Sequence, residues 1–134
     1  MNYKNFFLLV IFLFCTNCAT NNLLVNNKNN ILKKGFSNKG FTLVFKQNDY
    51  DNGLISKKID ERSLIIFQKN LKKNTPVKIT NMLNNKSLIA KIGMDSDYPA
   101  FNNSVISIRI ADELDLNIEE PYIEIIEISK DSMY

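Results

Sequence analysis

The sequence predicts a small, mainly β domain that closes into a barrel and carries one late helix. From about residue 35, short stretches of alternating apolar and polar residues recur, each bounded by Gly, Asn, Asp or Pro. Only one segment, near the C-terminus, has helical spacing instead. Strands this short would leave exposed edges in an open sheet, and closing the sheet removes those edges. Once an N-terminal leader and tether are set aside, roughly 100 residues remain, which is enough for one core.

The leader is the run MNYKNFFLLVIFLFCTNC. Lys4 gives a positive start, and the apolar run 6–14 is too short to cross a hydrocarbon core of ~30 Å. A cysteine and an Asn-rich segment follow, an order that resembles a bacterial lipoprotein signal. We therefore predict a signal peptide over 1–17, lipidation of Cys18 and a flexible tether over 18–33. The alternative is a cleaved secretory signal or an uncut anchor with incidental cysteines, because no small residue directly precedes the cysteine.

Alternation predicts strands, in chain order, at 40–47, 54–59, 63–68, 77–80, 88–92, 105–108 and 122–128. The first is set by Phe41, Leu43 and Phe45 at every second position. The DYDNG run at 49–53 is a turn cluster ending in Asn-Gly, and 69–74 is a polar loop. Both segments therefore separate strands rather than continue them.

The C-terminal half contains the predicted helix. Asn84 and Asn85 suit a turn that needs positive φ between two strands, and 94–103 is an irregular acidic loop. Apolar residues at helical spacing predict one short helix over 108–115, with Ser107 as its N-cap. The last strand breaks its alternation at two adjacent isoleucines, as at a bulge or where both faces are covered.

Composition excludes several kinds of chemistry. The chain has no histidine, and both cysteines lie in the leader. Ser–His and Cys–His catalysis, imidazole metal sites and thiolate sites are therefore not expected in the mature domain, and we predict neither a metal nor a cofactor. The net charge of +3 comes with scattered lysines. No dense basic face of a nucleic-acid binder is predicted, so nucleic acid is not an expected partner.

A set of short motifs recurs in one order within 71–128: Leu71 with Thr75, VKITN at 77–81, NNKSLI at 84–89, VISI at 105–108 and ADEL at 111–114. In order and spacing these motifs resemble the double-psi β-barrel of the rare lipoprotein A family of septal and envelope lipoproteins. The resemblance implies that 34–134 forms a six-stranded double-psi β-barrel with one short helix.

The resemblance also implies a site. Active family members resemble lytic transglycosylases that cut glycan strands stripped of peptide, using a loop Asp, a His and a second Asp. Asp95 is the best match for the loop acid and Asp97 the alternative, while Gln68 stands at the His position and Ser107 at the second Asp. A lone loop Asp is poorly placed to be an acid of raised pKa without burial or a partner, so solvated loop residues are the alternative reading of both.

Four residues form the predicted glycan-binding set: Gln68, Tyr98, Phe101 and Ser107. The two aromatic residues are candidates for stacking on sugar rings, and the alternative is simple packing over the mouth of the barrel.

These observations predict a lipid-anchored envelope protein that binds peptidoglycan glycan strands without cutting them. The alternatives are an active lytic transglycosylase on denuded peptidoglycan and a periplasmic protein-interaction module. Ala19, rather than an aspartate, follows the lipidated cysteine. By analogy with lipoprotein sorting, this predicts an outer-membrane location facing the periplasm, with a stable lipid anchor in the membrane.

Overall fold

A computed structural model describes residues 35–129, and the six strands of this segment close into one barrel. The strands are β1 (Ser37–Val44), β2 (Ile65–Phe67), β3 (Pro76–Asn81), β4 (Ser87–Ile92), β5 (Ser104–Ile106) and β6 (Tyr122–Glu127). The helices are α1 (Gln47–Asp51) and α2 (Ile108–Glu113). The prediction of a small mainly β barrel is confirmed. The signal peptide, Cys18 and the tether lie outside the described residues.

The strand order around the barrel is β1-β5-β2-β4-β3-β6. β1 pairs parallel with β5, and β2 pairs parallel with β4, while the other neighbours are antiparallel. The connection from β1 to β2 therefore joins strands that lie on either side of β5, and the connection from β4 to β5 joins strands that lie on either side of β2. Each joins two antiparallel strands across a third, so the barrel contains two psi loops. The first psi loop is residues 45–64 and the second is residues 93–103. Exchanging the first three strands with the last three leaves this order unchanged.

Local sequence accounts for the main boundaries. Asn85 has a φ of 62° in the turn between β3 and β4, as predicted for the Asn pair. Ser107 caps α2, because its hydroxyl accepts a hydrogen bond from the Ile110 amide. The ladder of β6 with β1 and β3 runs without a bulge through Ile125 and Ile126. The first of these isoleucines lies in the core and the second is half-buried on the outer face.

The predicted strand at 54–59 is wrong, and a five-residue helix, α1, precedes it where only a turn was expected. Ile55 and Ile59 are buried while the residues around them are exposed, so the segment is a loop held by two apolar anchors four residues apart. The Ser56 amide donates to the Asp97 carbonyl at 3.0 Å. The loop is thus bonded to the second psi loop instead of to a strand.

Two apolar clusters hold the domain together. The larger fills the barrel with residues such as Ile66, Ile79 and Ile123. The smaller lies under the β1–β2 connection and includes Phe67 and Val105, so β2 and β5 are covered on both faces. Every strand finds both its neighbours within 37–127, so 34–134 contains a complete folding unit. No helix within residues 35–129 is long and apolar enough to cross a membrane.

Candidate binding cleft

A cleft of about 410 Å³ opens between β1, the segment that follows β2 and the second psi loop. Its lining is five carboxamides, two lysines, two aromatic residues and two small residues: Asn38, Gln68, Asn70, Asn102, Asn103, Lys39, Lys69, Tyr98, Phe101, Gly40 and Ala100. Among residues 35–129, no carboxylate lines it. The pairing of β1 with β5 explains the location, because it places the loop that precedes β5 against β1.

Tyr98 forms a fixed part of the cleft wall and is only 8% exposed. Its hydroxyl accepts a hydrogen bond from the Lys69 amide at 3.2 Å and donates to the Asn103 carbonyl at 3.3 Å. The Lys69 ammonium lies 4.4 Å from the centre of the Tyr98 ring and donates to the Tyr98 carbonyl. Burial raises the pKa of Tyr98, the Lys69 amide opposes this rise and the charge of Asp95 adds to it. The phenol therefore stays neutral at physiological pH.

Asn103 fixes the second psi loop to β1. Its amide donates to the Phe41 carbonyl at 2.8 Å, and its side chain donates to the Asn38 carboxamide oxygen at 3.1 Å. A Cβ at Gly40 would lie 3.1 Å from the Asn103 Cβ, so the absence of a side chain there permits this close approach. The cleft geometry thus depends on one glycine in β1.

The carboxamides leave donors available to a ligand. Gln68 is buried, and its side-chain oxygen accepts a hydrogen bond from the Asn70 amide at 2.6 Å. The side-chain NH2 groups of Gln68 and Asn38 have no hydrogen-bond partner among residues 35–129, and no polar side-chain atom there is both buried and unpaired. These NH2 groups therefore keep contact with the cleft solvent, where they can bind an oxygen acceptor.

Phe101 forms an exposed aromatic rim. It is 77% exposed, and its ring stacks on Phe41 with centroids 5.5 Å apart and planes at 14°. Phe41 in turn meets Tyr122 edge-on at 5.0 Å. The stack supports one face of the Phe101 ring, and the ring, which lines the cleft, keeps most of its surface open to a flat apolar partner.

Asp95 and Asp97 are exposed, and neither lines the cleft. The Asp97 amide donates to the Ser56 hydroxyl at 2.7 Å, which joins the backbone of one psi loop to a side chain of the other. Within the described part of the chain, no group of three or more carboxylate, histidine or cysteine side chains is placed to hold a metal ion. The roles predicted for the two aspartates stay predictions.

Ser107 lies away from the cleft lining and is fully buried. Its hydroxyl donates to the Ser63 carbonyl at 2.6 Å and accepts from the Ile110 amide. Both hydrogen-bonding functions of this side chain are therefore used in holding α2. Of the predicted glycan-binding set, Gln68, Tyr98 and Phe101 come together in the cleft.

Sequence reasoning missed the remaining polar lining, notably Asn38, Lys39 and the 102–103 pair. These residues belong to segments far apart in the chain, and no motif marks them. The available signal was compositional, because Asn-rich loops flank two predicted strands.

The solved structures similar to this chain include two designed proteins. The computationally designed protein msDPBB_sym2, a double-psi β-barrel, is 13% identical with a TM-score of 0.47, and the match covers 69% of this chain and 100% of that chain. The rationally designed apDPBB_sym_79 is 10% identical with a TM-score of 0.47, with coverages of 70% and 100%. Both similarities concern the fold alone, which the strand pairing of this chain establishes by itself. No protein-family model and no curated protein sequence matches the chain.

Proposed function

We propose that this protein is a lipid-anchored envelope protein whose barrel binds peptidoglycan glycan strands without cutting them. The observation that carries the proposal is the lining of the 410 Å³ cleft, which combines carboxamides, lysines and aromatic rings and includes no carboxylate from the described part of the chain. A chain of amino sugars offers hydroxyl and acetamido groups along its edges and flat apolar faces on its rings. The two sets of groups are chemically complementary.

Hydrogen bonding supports recognition of the edge of a sugar. Gln68 and Asn38 have NH2 donors without protein partners among the described residues, and both side chains are held by other contacts through their oxygens. Donors fixed in this way bind an acceptor with a small loss of side-chain entropy.

Stacking supports recognition of the face of a sugar. Phe101 is held by Phe41 behind it, and most of its surface is exposed. An exposed ring with a supported back face is suited to stack against a pyranose, whereas Tyr98 is buried and has the Lys69 ammonium 4.4 Å from its ring centre. We therefore assign the stacking contact to Phe101 and a positioning role to Tyr98.

Binding without cleavage is supported because none of the carboxylates within 35–129 lines the cleft. Lytic transglycosylation needs a carboxylic acid to protonate the glycosidic oxygen. Asp95 and Asp97 are exposed and lie outside the cleft lining. A sugar bound against Phe101 and Gln68 would have no acid among the described groups that line its site.

The N-terminal sequence supports the anchor and its location. The apolar run 6–14 followed by Cys18 fits a lipoprotein signal, and Ala19 fits sorting to the outer membrane. The barrel would then face the periplasm, where peptidoglycan is within its reach.

The test uses the fragment 34–134, which contains the complete barrel. The fragment is incubated with amidase-stripped glycan strands and sedimented, and the supernatant is analysed by mass spectrometry. We expect the protein to sediment and no sugar fragments to appear. Gln68→Leu should reduce sedimentation, and Ser87→Ala, an exposed change on β4 outside the cleft, should not.

Two outcomes would contradict the proposal. Anhydro-sugar products that are lost on Asp95→Asn would make the protein a lytic transglycosylase. If the protein does not sediment and no products appear, the result would favour the alternative that the barrel is a protein-interaction module.

A further inference from the structure

Although lysines are scattered over the chain as a whole, the two signs of charge are segregated within the barrel sequence. Residues 62–94 contain seven Lys and Arg and no Asp or Glu, whereas 95–127 contain nine Asp and Glu and one Arg. The first segment supplies β2, β3 and β4, which are contiguous in the barrel in the order β2-β4-β3. One sector of the barrel is therefore formed by a segment that carries positive charge only.

Part of this positive charge is gathered on the outer face of β3 and β4. The register places Lys78 opposite Ile89 and Lys91 opposite Pro76, so the two lysines are diagonal neighbours, and both are exposed. The loop before β3 is joined to the end of β4, because the Asn74 amide donates to the Ile92 carbonyl at 2.8 Å.

That loop adds two more exposed lysines, Lys72 and Lys73, which directly precede the Asn74 contact with the end of β4. We call the surface formed by these side chains the basic wall: Lys72, Lys73, Lys78, Lys91 and Ile89. Within residues 35–129, none of its four lysines forms an ion pair, whereas Lys86 pairs with Asp115 and Lys39 with Glu124. The charge of the basic wall is therefore available to a partner.

Apolar side chains lie among the lysines of the basic wall. Ile89 is 62% exposed and lies opposite Lys78 on one side, and the half-buried Ile126 lies opposite Lys78 on the other. A lysine between two outward isoleucines is suited to an interface where charge meets hydrocarbon. A hydrated polyanion would use the lysines and leave Ile89 in water, so the combination favours a lipid surface.

The route of the chain points to the same partner. The register aligns Ser37, Ile126, Lys78 and Ile89 in one row across β1, β6, β3 and β4. The chain therefore enters the barrel in the row that contains the basic wall. If Cys18 carries lipid, as the proposed function holds, the segment 18–33 allows at most roughly 55 Å between the anchor and the barrel.

We propose that the basic wall docks the barrel on a bilayer rich in anionic headgroups, next to its own lipid anchor. Lysines would approach the headgroup phosphates while Ile89 enters the interface. The basic wall shares no residue with the cleft, so docking and glycan binding use separate surfaces.

The test is co-sedimentation of the fragment 34–134 with vesicles of phosphatidylglycerol and phosphatidylethanolamine in equal parts, and with vesicles of phosphatidylcholine alone. We expect binding to the anionic vesicles that weakens at high salt, and little binding to the neutral ones. The double variant Lys78→Ser with Lys91→Ser should reduce the partition coefficient by roughly 30-fold, since each lysine near an anionic surface contributes about fivefold. Ile89→Ser should also reduce binding.

The matched control is Lys46→Ser with Lys57→Ser, which removes the same net charge from exposed positions outside the basic wall. An equal loss in this control, equal binding to both kinds of vesicle, or retention on a soluble anionic polymer without vesicle binding would overturn the proposal.

Glycan sedimentation on the same variants separates this proposal from the proposed function. Loss of vesicle binding with glycan binding intact is the expected result for the Lys78 and Lys91 variant. If the unmodified fragment binds vesicles but does not bind glycan strands, the result would contradict the glycan proposal and leave the docking proposal standing. Circular dichroism of each variant excludes unfolding as the cause.

Discussion

At the scale of single residues, the cleft depends on side chains held in place by several contacts at once. Tyr98 is fixed through its hydroxyl, its ring and its carbonyl, and all three are in contact with Lys69, the hydroxyl with its amide and the other two with its ammonium. Phe101 is fixed through Phe41 and yet stays exposed. The first residue therefore contributes to stability, and the second is available for binding.

Replacing Tyr98 with Phe should reveal the raised pKa of the phenol. The ordinary pKa of a tyrosine is 10.0, and the folded protein keeps the Tyr98 proton to a higher pH than this. As pH rises, the unfolded state therefore loses the proton first, and unfolding becomes more favourable. The variant should be less stable by about 1–2 kcal/mol near neutral pH, since the Lys69 amide loses its acceptor. This deficit should shrink above about pH 10. Denaturant titrations of both proteins from neutral to alkaline pH measure it.

A deficit that stays constant or grows across this range would contradict the assignment. Taking the difference between the two proteins cancels the titration of lysines, which occurs over similar pH values.

Replacing Phe101 with Ala should weaken glycan binding more than folding. The ring is mostly exposed, so we expect a loss of stability under about 1 kcal/mol, while the loss of a stacking partner should weaken binding by roughly tenfold. Ile118→Ala is the control, because that side chain is 60% exposed and lies outside the cleft lining. Equal affinity of the Phe101 variant and the unmodified protein would remove the stacking contact from the proposal.

At the scale of elements, α2 shows why a motif position does not reveal the use of its side chain. Sequence reasoning gave Ser107 two possible roles, as the N-cap of a helix and as a glycan contact by resemblance. The hydroxyl caps the helix and reaches the Ser63 carbonyl, and the side chain is fully buried. The cap is a local property that spacing predicts, whereas burial depends on the strands packed around it.

Replacing Ser107 with Ala should therefore act on stability. Loss of the cap and of the bond to Ser63 should cost about 1–2 kcal/mol and lower the melting temperature by several degrees. Glycan sedimentation at a temperature where the variant is folded should be unchanged. A variant with normal melting and reduced glycan binding would instead support the role implied by the family resemblance.

At the scale of the whole molecule, the closing of the six strands into a barrel explains what the sequence could and could not predict. Alternation in β3 and β4 and the turn at Asn85 are local, so their positions were predicted to within a residue or two. The failure at 54–59 arose because Ile55 and Ile59 look like part of a strand until the second psi loop is present to bond with the segment. The cleft was only partly predicted, because it forms where 38–40, 68–70 and 98–103 meet.

The strand order makes a further prediction about folding. β1, β2 and β3 occupy alternate positions in the barrel, and β4, β5 and β6 occupy the positions between them. Every ladder therefore joins a strand of the first half to a strand of the second, and neither half contains a strand pair of its own. Cutting the chain in the turn at Asn85 removes only a local connection between the halves.

We expect the fragments 34–84 and 85–134 to be unfolded separately, because neither can form a ladder or close a core. Mixed in equal amounts, they should assemble into the barrel, with a β-type circular dichroism spectrum and a cooperative melt below that of the intact chain. The melting temperature should rise with fragment concentration, since folding is then bimolecular. A fragment that melts cooperatively by itself would contradict the interleaved pairing, and so would a mixture that stays unfolded at concentrations where the intact barrel is stable.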